Sequence, residues 1–531
     1  MEPKCSKRSQ DIVSIEEENA LIRAATYNED NEELEFALFN DKPDFSPHAL
    51  KHYFGTRFST LMDLPVHHRE EGWFHVLNPI HGFREMTASN WNFCLLGFFA
   101  WALDAMDFFC VSVAVPEIAD TLQVSVTAVS WGVTLALMLR SVGALIFGLA
   151  SDYIGRKWSY IIIAGLFIVV EVGTGLVQTY NQFLGVRALF GVLMGSMYPV
   201  AMVTAIEGQP PQARSFISGM FPGGYTLGYN FAIIFYLAFE NTYKVGEGWR
   251  ALFWFSGGLS AILIVWRLFT PESPEYLKIQ QKKKKFNEGI ESGSGIFSKF
   301  DRSILITLKT EWLIFSYLVM LFAGFNFMAH GTQDLYSTLL TKQFGVPLNK
   351  KTLIIVISNI ASFFGGITGG SASEVFGRRL TIIICLIWNG AFLYPAFHNA
   401  DKNWWAYVLV IFGGSGAWGS AAIHLLELVN STHRTLLAGL AYQLGNLISS
   451  ASMTIEAKIG ESFQIEGAAP GVFDYGLVMC IFSGAVLTYM FICVFLGPER
   501  FHKEIRVLED VHELEDDEER AVDMREKKPN V

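Results

Sequence analysis

Long apolar blocks, separated by short polar segments, run through most of the chain. Each of twelve blocks is near the roughly 20 residues that a helix needs to cross the hydrocarbon of a bilayer. A lipid-exposed backbone must satisfy its own hydrogen bonds, and the short alternating segments of a barrel are not seen, so the pattern predicts an all-α membrane protein. The predicted spans are roughly 93–115, 127–150, 158–178, 183–205, 215–239, 250–269, 311–335, 352–371, 380–397, 405–427, 435–456 and 474–496.

The spans fall into two groups of six, separated by a polar segment that contains Lys282 to Lys285. These lysines are expected to be solvated positive-inside charges, with contact to anionic lipid as the alternative. The segment after the N-terminal tail is predicted as an amphipathic pre-helix, with an ordered linker as the alternative. The predicted units are a disordered acidic cytosolic tail (1–70), the pre-helix (71–92), an N-terminal six-helix bundle (93–270), a cytosolic central loop (271–310), a C-terminal six-helix bundle (311–497) and a cytosolic tail (498–531).

Composition supports a membrane protein and excludes several other classes. Of the 531 residues, 51% are hydrophobic and 17% charged, against about 25% charged in soluble domains. The net charge of −11 comes mainly from the tails, so no nucleic-acid partner is expected. The six scattered cysteines suggest neither a disulfide framework nor a zinc site. With no phosphate-binding loop, metal cluster or nucleophile–base pair, we expect no enzyme, no resident metal and no cofactor.

The distribution of Lys and Arg between loops predicts the orientation of the chain. Loops that follow even-numbered spans hold most of these residues, which favours a cytosolic location for them and for both termini. The N-terminal segment is polar and acidic, so the first span is expected to direct the chain to the membrane. Lysines of the tails are candidate sites for ubiquitin, although no single residue stands out.

Two copies of a short motif follow the second and the eighth span. Each copy contains a glycine, an acid, a second glycine and a basic residue, and the acids lie 222 residues apart (374 − 152). The glycines allow tight turns and close helix approach. The acids can pair with the basic residues, and breaking such pairs is a way to switch between two states. The motif residues are Gly148, Asp152, Gly155 and Arg156 in the first copy, and Gly370, Glu374, Gly377 and Arg378 in the second.

The doubled motif resembles the loop signature of the major facilitator superfamily. The resemblance covers about residues 90–500 and implies two six-helix bundles around a central path, with the substrate near the membrane midplane. Positive-inside topology alone explains the basic residues but not the acids and glycines. We therefore interpret the two loops as gating elements.

The seventh span ends in a stripe of polar residues, which contact with lipid does not favour. Asn326, His330, Gln333 and Asp334 fall within roughly 100° of one another on a helical wheel, and Thr338 follows one turn later. Such a stripe is by default a transport path, and polar contacts between helices are the alternative. His330 and Asp334 lie one turn apart, so a proton can be shared between them.

Together with Thr332, the stripe matches the signature N-x-x-[S/T]-H-x-[S/T]-Q-D-x-x-x-T of the yeast Jen-type lactate/pyruvate:proton symporters. The resemblance implies proton-coupled import of lactate and pyruvate across the plasma membrane, and acetate is a further candidate. A proton offsets the cost of moving an anion against the membrane potential, about 2.3 kcal/mol per charge per 100 mV. Ala329 stands where the signature has Ser or Thr. A dicarboxylate (malate or succinate) carrier of the same family therefore remains an alternative.

Arg140 is the second candidate anchor for a carboxylate. It precedes Asp152 by twelve residues, which places it roughly 18 Å above the loop and near mid-membrane. A guanidinium there can grip a carboxylate through two parallel hydrogen bonds, and the resemblance implies the same role. A fixed ion pair with Asp104 or Asp107 of the first span is the alternative.

The eleventh span adds Gln443 and Asn446, which lie three residues apart on one helix face. Sliding the chain by 222 residues superposes Gln443 on Phe221 and Asn326 on Asp104, so the repeat aims these pairs at a common axis. The resemblance implies pore-facing roles for Gln443 and Asn446. Phe221 is a candidate for lining the path, although single aromatic residues in a span usually pack.

Two other function classes are open from the sequence. A sugar porter is suggested by Pro271-Glu272-Ser273-Pro274 after the sixth span, but Glu275 stands where such porters usually carry Arg. A midplane arginine also suits a neutral sugar poorly. A membrane sensor that signals through its tails is the other class, and the tails contain no recognisable signalling domain.

Overall fold

The computed structural model describes residues 45–64, 84, 86–124, 126–239, 242, 246–273, 276–277, 280, 309, 311–429, 434–460, 462–463, 465 and 474–499. The side chain of Asp152 also lies outside what is described. Most of the predicted central loop and C-terminal tail, and residues 71–83 of the predicted pre-helix, fall outside these residues.

The described chain is helical, which confirms the all-α prediction. The helices are α1 (Pro47–Met62), α2 (Ala88–Leu122), α3 (Val126–Ile154), α4 (Arg156–Leu176), α5 (Tyr180–Ile206), α6 (Pro211–Met220), α7 (Gly223–Phe239), α8 (Gly248–Phe269), α9 (Trp312–Gln333), α10 (Tyr336–Thr338), α11 (Leu348–Phe376), α12 (Arg378–His398), α13 (Trp404–Leu428), α14 (Arg434–Ser449), α15 (Ser452–Gly460) and α16 (Tyr475–Leu496), with a π-helical turn at Leu339–Gln343.

Ten described helices are long and apolar enough to cross a membrane. The other two predicted spans, 215–239 and 435–456, are each divided into two shorter helices. Pro222 separates α6 from α7, because proline lacks an amide hydrogen and clashes with the preceding turn. Ser450 lies between α14 and α15, where its hydroxyl donates to the Leu447 carbonyl at 2.6 Å and competes with the helical hydrogen bonds.

Helix α1 corrects one prediction, because it lies within the tail (1–70) that we expected to be disordered. Ser46 caps its first turn by accepting a hydrogen bond from the Ala49 amide. Tyr53, Arg57 and Leu61 lie one turn apart and are buried. Tyr53 donates to the Leu496 carbonyl at 2.7 Å, and Arg57 donates to the Gly497 carbonyl at 3.1 Å. The tertiary contact with the end of α16 stabilises a helix that its own polar sequence did not indicate.

The first membrane helix also begins earlier than predicted. Helix α2 starts at Ala88 rather than near residue 93, because Thr87 and Asn90 form a capping box at its N-terminus. Residues 88–92, expected in the pre-helix, therefore belong to α2.

The two halves of the chain are held together mainly at one end. Helices α6 and α14, the first pieces of the two divided helices, pack against α11 and α3 of the opposite half. Across this interface Ser218 donates to the Gly419 carbonyl at 2.6 Å. We call this end, which contains Arg156, Glu207, Arg378 and Arg434, the closed end. Helix α15, by contrast, packs on α9 and α16 of its own half, toward the opposite end, which we call the far end.

Candidate functional site

The position of Arg140 is set by very close packing of α3 against α5. A Cβ atom added at Gly195 would lie 1.8 Å from the carbonyl oxygen of Arg140, so only glycine permits this approach. Arg140 is 3% exposed. Its Nη2 donates to the Met194 sulfur at 2.7 Å, and its guanidinium lies 5.0 Å from the centre of the Phe108 ring. A thioether is a weak acceptor, so this buried cation is poorly satisfied.

Neither Asp104 nor Asp107 of the first membrane helix forms an ion pair with Arg140 among the described residues. Both carboxylate oxygens of Asp104 are buried without a hydrogen-bond partner, although Arg140 lies within electrostatic range of them. Asp107 instead accepts a hydrogen bond from the Ser256 hydroxyl. The fixed-pair alternative is thus not what the structure shows, and the described hydrogen bond of the guanidinium goes to the Met194 sulfur.

The polar stripe divides into an inner and an outer part. Asn326 is buried and donates to the Phe322 carbonyl of its own helix at 2.8 Å. His330 Nδ1 lies 3.0 Å from Asp334 Oδ2, and these two side chains are 27% and 24% exposed. Gln333 is exposed, and α9 ends there.

Two hydroxyls of the signature have different surroundings. Thr332 is buried and donates to the Met328 carbonyl at 2.8 Å, a local contact within α9. Thr338 ends α10 directly before the π-helical turn, a type of irregularity that is frequent at functional sites. The structure therefore leaves Thr338 as a site candidate and gives Thr332 a local role.

Helix α14 brings its two amides to the boundary between the halves. Gln443 donates to the Gly195 carbonyl at 3.3 Å, next to the backbone of Arg140. Asn446 donates to Gln443 Oε1 at 3.5 Å. A Cβ atom at Gly445 would lie 2.7 Å from the Ala323 nitrogen, so α14 also presses directly on α9. Helix α14, which carries Gln443 and Asn446, therefore contacts both the other half beside Arg140 and helix α9.

An aromatic layer lies across the centre of the molecule. Phe221, at the end of α6, is buried and stacks on Trp101 with 6.1 Å between ring centres. Tyr198 stacks on Tyr442 of the other half at 3.9 Å. Tyr225 stacks on the same Trp101 ring, with 5.6 Å between ring centres. Phe221 is therefore part of this layer rather than an isolated pore residue.

The anchors lie at different depths. Arg140 lies fourteen residues before the end of α3, about 21 Å from the closed end, whereas Asp334 lies twenty-two residues after Trp312, about 33 Å from it. The structure thus brings Arg140, Gln443, Asn446 and Phe221 together at the centre. On the same measure His330 lies roughly 6 Å and Asp334 roughly 12 Å closer to the far end, with Gln333 between them and Thr338 beyond them.

Both motif loops use glycine for backbone geometry. Gly155 and Gly377 directly precede α4 and α12 and have φ values of 101° and 83°. Residues with a side chain rarely adopt such positive φ values. A Cβ atom at Gly148 would lie 2.9 Å from Leu436 Cα, and one at Gly370 would lie 2.3 Å from the Ser215 carbonyl oxygen. The two equivalent glycines therefore both allow contact between the halves.

The ion pairs at the closed end include acids that the sequence interpretation left unassigned. Arg378 pairs with Glu374 at 3.0 Å, and also with Glu427 at 2.7 Å. Arg156 pairs with Glu207 at 3.3 Å, and Arg434 of the other half reaches the same carboxylate at 3.3 Å. Glu207 and Glu427 each end a helix near a basic loop, a sequence signal that identifies candidates but not their partners.

The sequence interpretation also missed two glutamates, one after the last helix of each half. Glu272 accepts hydrogen bonds from the Lys157 amide at 3.1 Å. Glu499 accepts from the amides of Arg378 and Arg379. Each carboxylate therefore caps the first turn of the helix that follows a motif loop. The shared Pro-Glu dipeptides, at 271–272 and 498–499, are the signal that identifies them.

Comparison with known proteins defines the class. The sequence profile of the sugar (and other) transporter family matches residues 78–508, and the chain belongs to this family. The fold agrees: the proton:xylose symporter XylE of E. coli superposes with a TM-score of 0.60 at 17% identity, covering 79% of this chain and 99% of that one. The protein is therefore a transporter of the major facilitator superfamily, and this family and fold are not those of enzymes.

Among its relatives is a carboxylic acid transporter protein homolog of Saccharomyces cerevisiae. It is 41% identical over 491 residues, which cover 90% of this chain and 77% of the relative. The cis,cis-muconate transport protein of Acinetobacter baylyi is 26% identical over 402 residues, covering 73% of this chain and 93% of the relative.

Proposed function

We propose that the protein imports short-chain carboxylates together with protons across the plasma membrane, with lactate and pyruvate as its substrates. The observation that carries this proposal is Arg140, a buried guanidinium whose described hydrogen bond goes to a thioether. A carboxylate bound there replaces a weak acceptor with two charged ones. The names of the yeast and Acinetobacter relatives refer to transport of a carboxylic acid and of muconate, and they support the same substrate class.

Coupling to protons is assigned to His330 and Asp334. They are in hydrogen-bond contact and about one quarter exposed, so solvent protons reach them. Imidazole is the side chain whose charge changes most readily near neutral pH. Because these residues lie nearer the far end than Arg140 does, a proton from that side meets its site before the anion reaches the guanidinium.

The cycle follows from the expected orientation. With both termini in the cytosol, the closed end faces the cytosol, and the structure corresponds to a state that is closed toward the cytosol. Protonation at His330 and Asp334 and carboxylate binding at Arg140 precede separation of the halves at the closed end. Substrate and proton then leave to the cytosol.

A dicarboxylate carrier is the second candidate, and Ala329 is the residue that favours it. The signature of the monocarboxylate symporters has a hydroxyl there, next to His330. Muconate, which the Acinetobacter relative is named for, carries two carboxylates.

Uptake of labelled lactate at acidic pH, in cells that lack other carboxylate carriers, tests the proposal. We expect uptake that a protonophore abolishes, that declines as external pH rises, and that excess pyruvate competes. Strong entry of labelled malate with weak lactate uptake would favour the dicarboxylate carrier. Competition by glucose but not by pyruvate would favour a sugar porter and contradict the proposal.

A further inference from the structure

Glu456 is a buried acid to which neither the sequence interpretation nor the proposed cycle gives a role. It lies on α15, the outer piece of the divided helix, and is 0% exposed. Neither of its carboxylate oxygens has a hydrogen-bond partner among the described residues. A carboxylate in such a place is costly to ionise, so it is retained where it serves a purpose.

Among the described residues, Asp334 is the charged group within electrostatic range of Glu456. Helix α15 packs against α9 and α16, and Asp334 lies just beyond the end of α9. His330 of α9 already contacts Asp334. Asp474, which precedes α16, accepts hydrogen bonds from Gln343 and Leu477, and Lys458 of α15 is exposed. The remaining titratable residues of α16 are neutral tyrosines and thiols: Tyr475, Cys480, Tyr489 and Cys493.

Two carboxylates within electrostatic range, one of them buried, do not readily carry two negative charges. A proton bound to either carboxylate removes one of the two charges. Asp334 is about one quarter exposed to solvent, whereas Glu456 is buried.

We propose that Glu456 and Asp334 form a carboxylate pair that holds the transported proton, so that the proton site extends from α9 to α15. The inference rests on the proposed proton-coupled cycle and adds to it a residue of α15. A proton that arrives from the far end binds to Asp334 or Glu456 and neutralises one charge of the pair. The same proton leaves toward the cytosol after the halves have moved, and the carboxylate that held it is ionised again.

The pair links proton binding to the divided helix. Helix α14 carries Gln443 and Asn446 at the centre, and the break at Ser450 separates it from α15. Neutralising one carboxylate removes the repulsion between α15 and Asp334. Proton binding therefore favours closer approach of α15 to the end of α9, on the side from which the substrate enters.

Two substitutions of opposite character test the pair in the full-length protein in proteoliposomes. Glu456→Gln keeps the size of the side chain but removes the group that binds a proton. Glu456→Asp keeps a carboxyl group that can bind a proton but shortens the side chain. We expect lactate accumulation driven by a pH gradient to fall about tenfold or more in E456Q. Lactate counterflow at equal pH should stay within about twofold, and E456D should retain more accumulation than E456Q.

The opposite order of the two variants overturns the proposal. A purely structural carboxyl tolerates the isosteric amide better than the shorter acid, so E456Q at least as active as E456D would assign packing rather than proton binding. Equal loss of accumulation and counterflow in E456Q, with unchanged amounts of protein, would likewise assign Glu456 to packing.

A second measurement does not depend on the substrate. A hydrophobic carbodiimide reacts with protonated carboxyl groups, and mass spectrometry of the labelled protein locates the modified residue. We expect labelling of Glu456 to decline as pH rises, and this decline to move to lower pH in Asp334→Asn, because the neighbouring negative charge is removed. A decline that Asp334→Asn does not move would exclude the pair. The wild-type protein could show this Asp334-dependent labelling without any pH-driven lactate uptake. That result would contradict the proposed function but would support the carboxylate pair.

Discussion

The closed end and the centre of the molecule treat buried charge in opposite ways. At the closed end, Arg156, Arg378 and Arg434 each contact a carboxylate within 3.3 Å. At the centre, Asp104 has no hydrogen-bond partner among the described residues, and the described hydrogen bond of Arg140 goes to a thioether. Paired charges fix one arrangement of the halves, whereas incompletely satisfied charges are costly unless a ligand or a proton completes them. The charges of the closed end therefore hold one arrangement, and Arg140 is the central charge that the proposed cycle assigns to the substrate.

The largest effect is expected for Arg140→Ala, which removes the central cation. Loss of a buried, hydrogen-bonded charge contact typically costs enough to lower lactate uptake about 100-fold or more, with unchanged surface protein. Arg140→Lys keeps the charge but lacks the planar guanidinium, and its lactate uptake should lie between that of the wild type and that of Arg140→Ala.

Met194→Leu provides the matched control for the Arg140 variants. It removes the weak sulfur acceptor while keeping the volume, and we expect nearly unchanged uptake. If Met194→Leu were as inactive as Arg140→Ala, the guanidinium would have a structural role, and the contrast between the two regions would fail.

Arg434→Gln tests the other side of the comparison, because it removes an ion pair between the halves. We expect the closed-end contact to weaken by about 1.5–3 kcal/mol, the usual value of a hydrogen bond to a charged group. Labelling of a cysteine introduced at Ser218, which lies in this interface, should become faster. Ser218→Cys alone is the reference, and equal labelling rates in both proteins would show that the pair does not hold the halves together.

Gly370→Ala places a methyl group against the other half at the closed end. Its Cβ atom would lie 2.3 Å from the Ser215 carbonyl oxygen, and overpacking of this kind typically costs about 1–3 kcal/mol. We expect several-fold slower uptake, because the arrangement in which the halves meet at the closed end is disfavoured. Gly390→Ala is the control on the adjacent helix, since nothing lies within 4 Å of its added Cβ atom. Equal effects of the two substitutions would exclude a contact between the halves as the cause.

The smallest effect is expected for Tyr53→Phe in α1, outside both regions. The substitution removes one hydrogen bond, to the Leu496 carbonyl, worth about 1 kcal/mol. The thermal stability of the purified protein should fall slightly, with uptake unchanged. A large loss of uptake would show that α1 takes part in the transport cycle.

Periodic and repeated features could be predicted from the sequence, and contacts between distant residues could not. Span length indicated the all-α bundles, and the 222-residue repeat indicated that Gly148 and Gly370 are equivalent. The contact between His330 and Asp334 followed from helical spacing alone. Glu207 was missed because its two arginine partners come from different parts of the chain, and no local pattern marks such a contact.

Irregular backbone was the other source of error. Pro222 and Ser450 divide two helices that look continuous by hydrophobicity, because apolar composition does not report a missing or diverted hydrogen bond. Helix α1 was missed for the reverse reason, since its stability comes from Tyr53 and Arg57 contacting the end of α16. The roles of the central residues in transport stay predictions until the variants are measured.

Glu207 contacts two arginines, and this shared contact affects the rate at which the halves separate. When the halves separate, Arg434 departs with its own half, but Arg156 stays beside the carboxylate. The acid is therefore never left as a bare charge in an apolar interior, and opening gives up one contact instead of incurring the full desolvation of an ion. A lower barrier of this kind acts on the loaded and the empty protein alike. Arg156 is accordingly expected to govern turnover rate, and to leave the affinity for substrate nearly untouched.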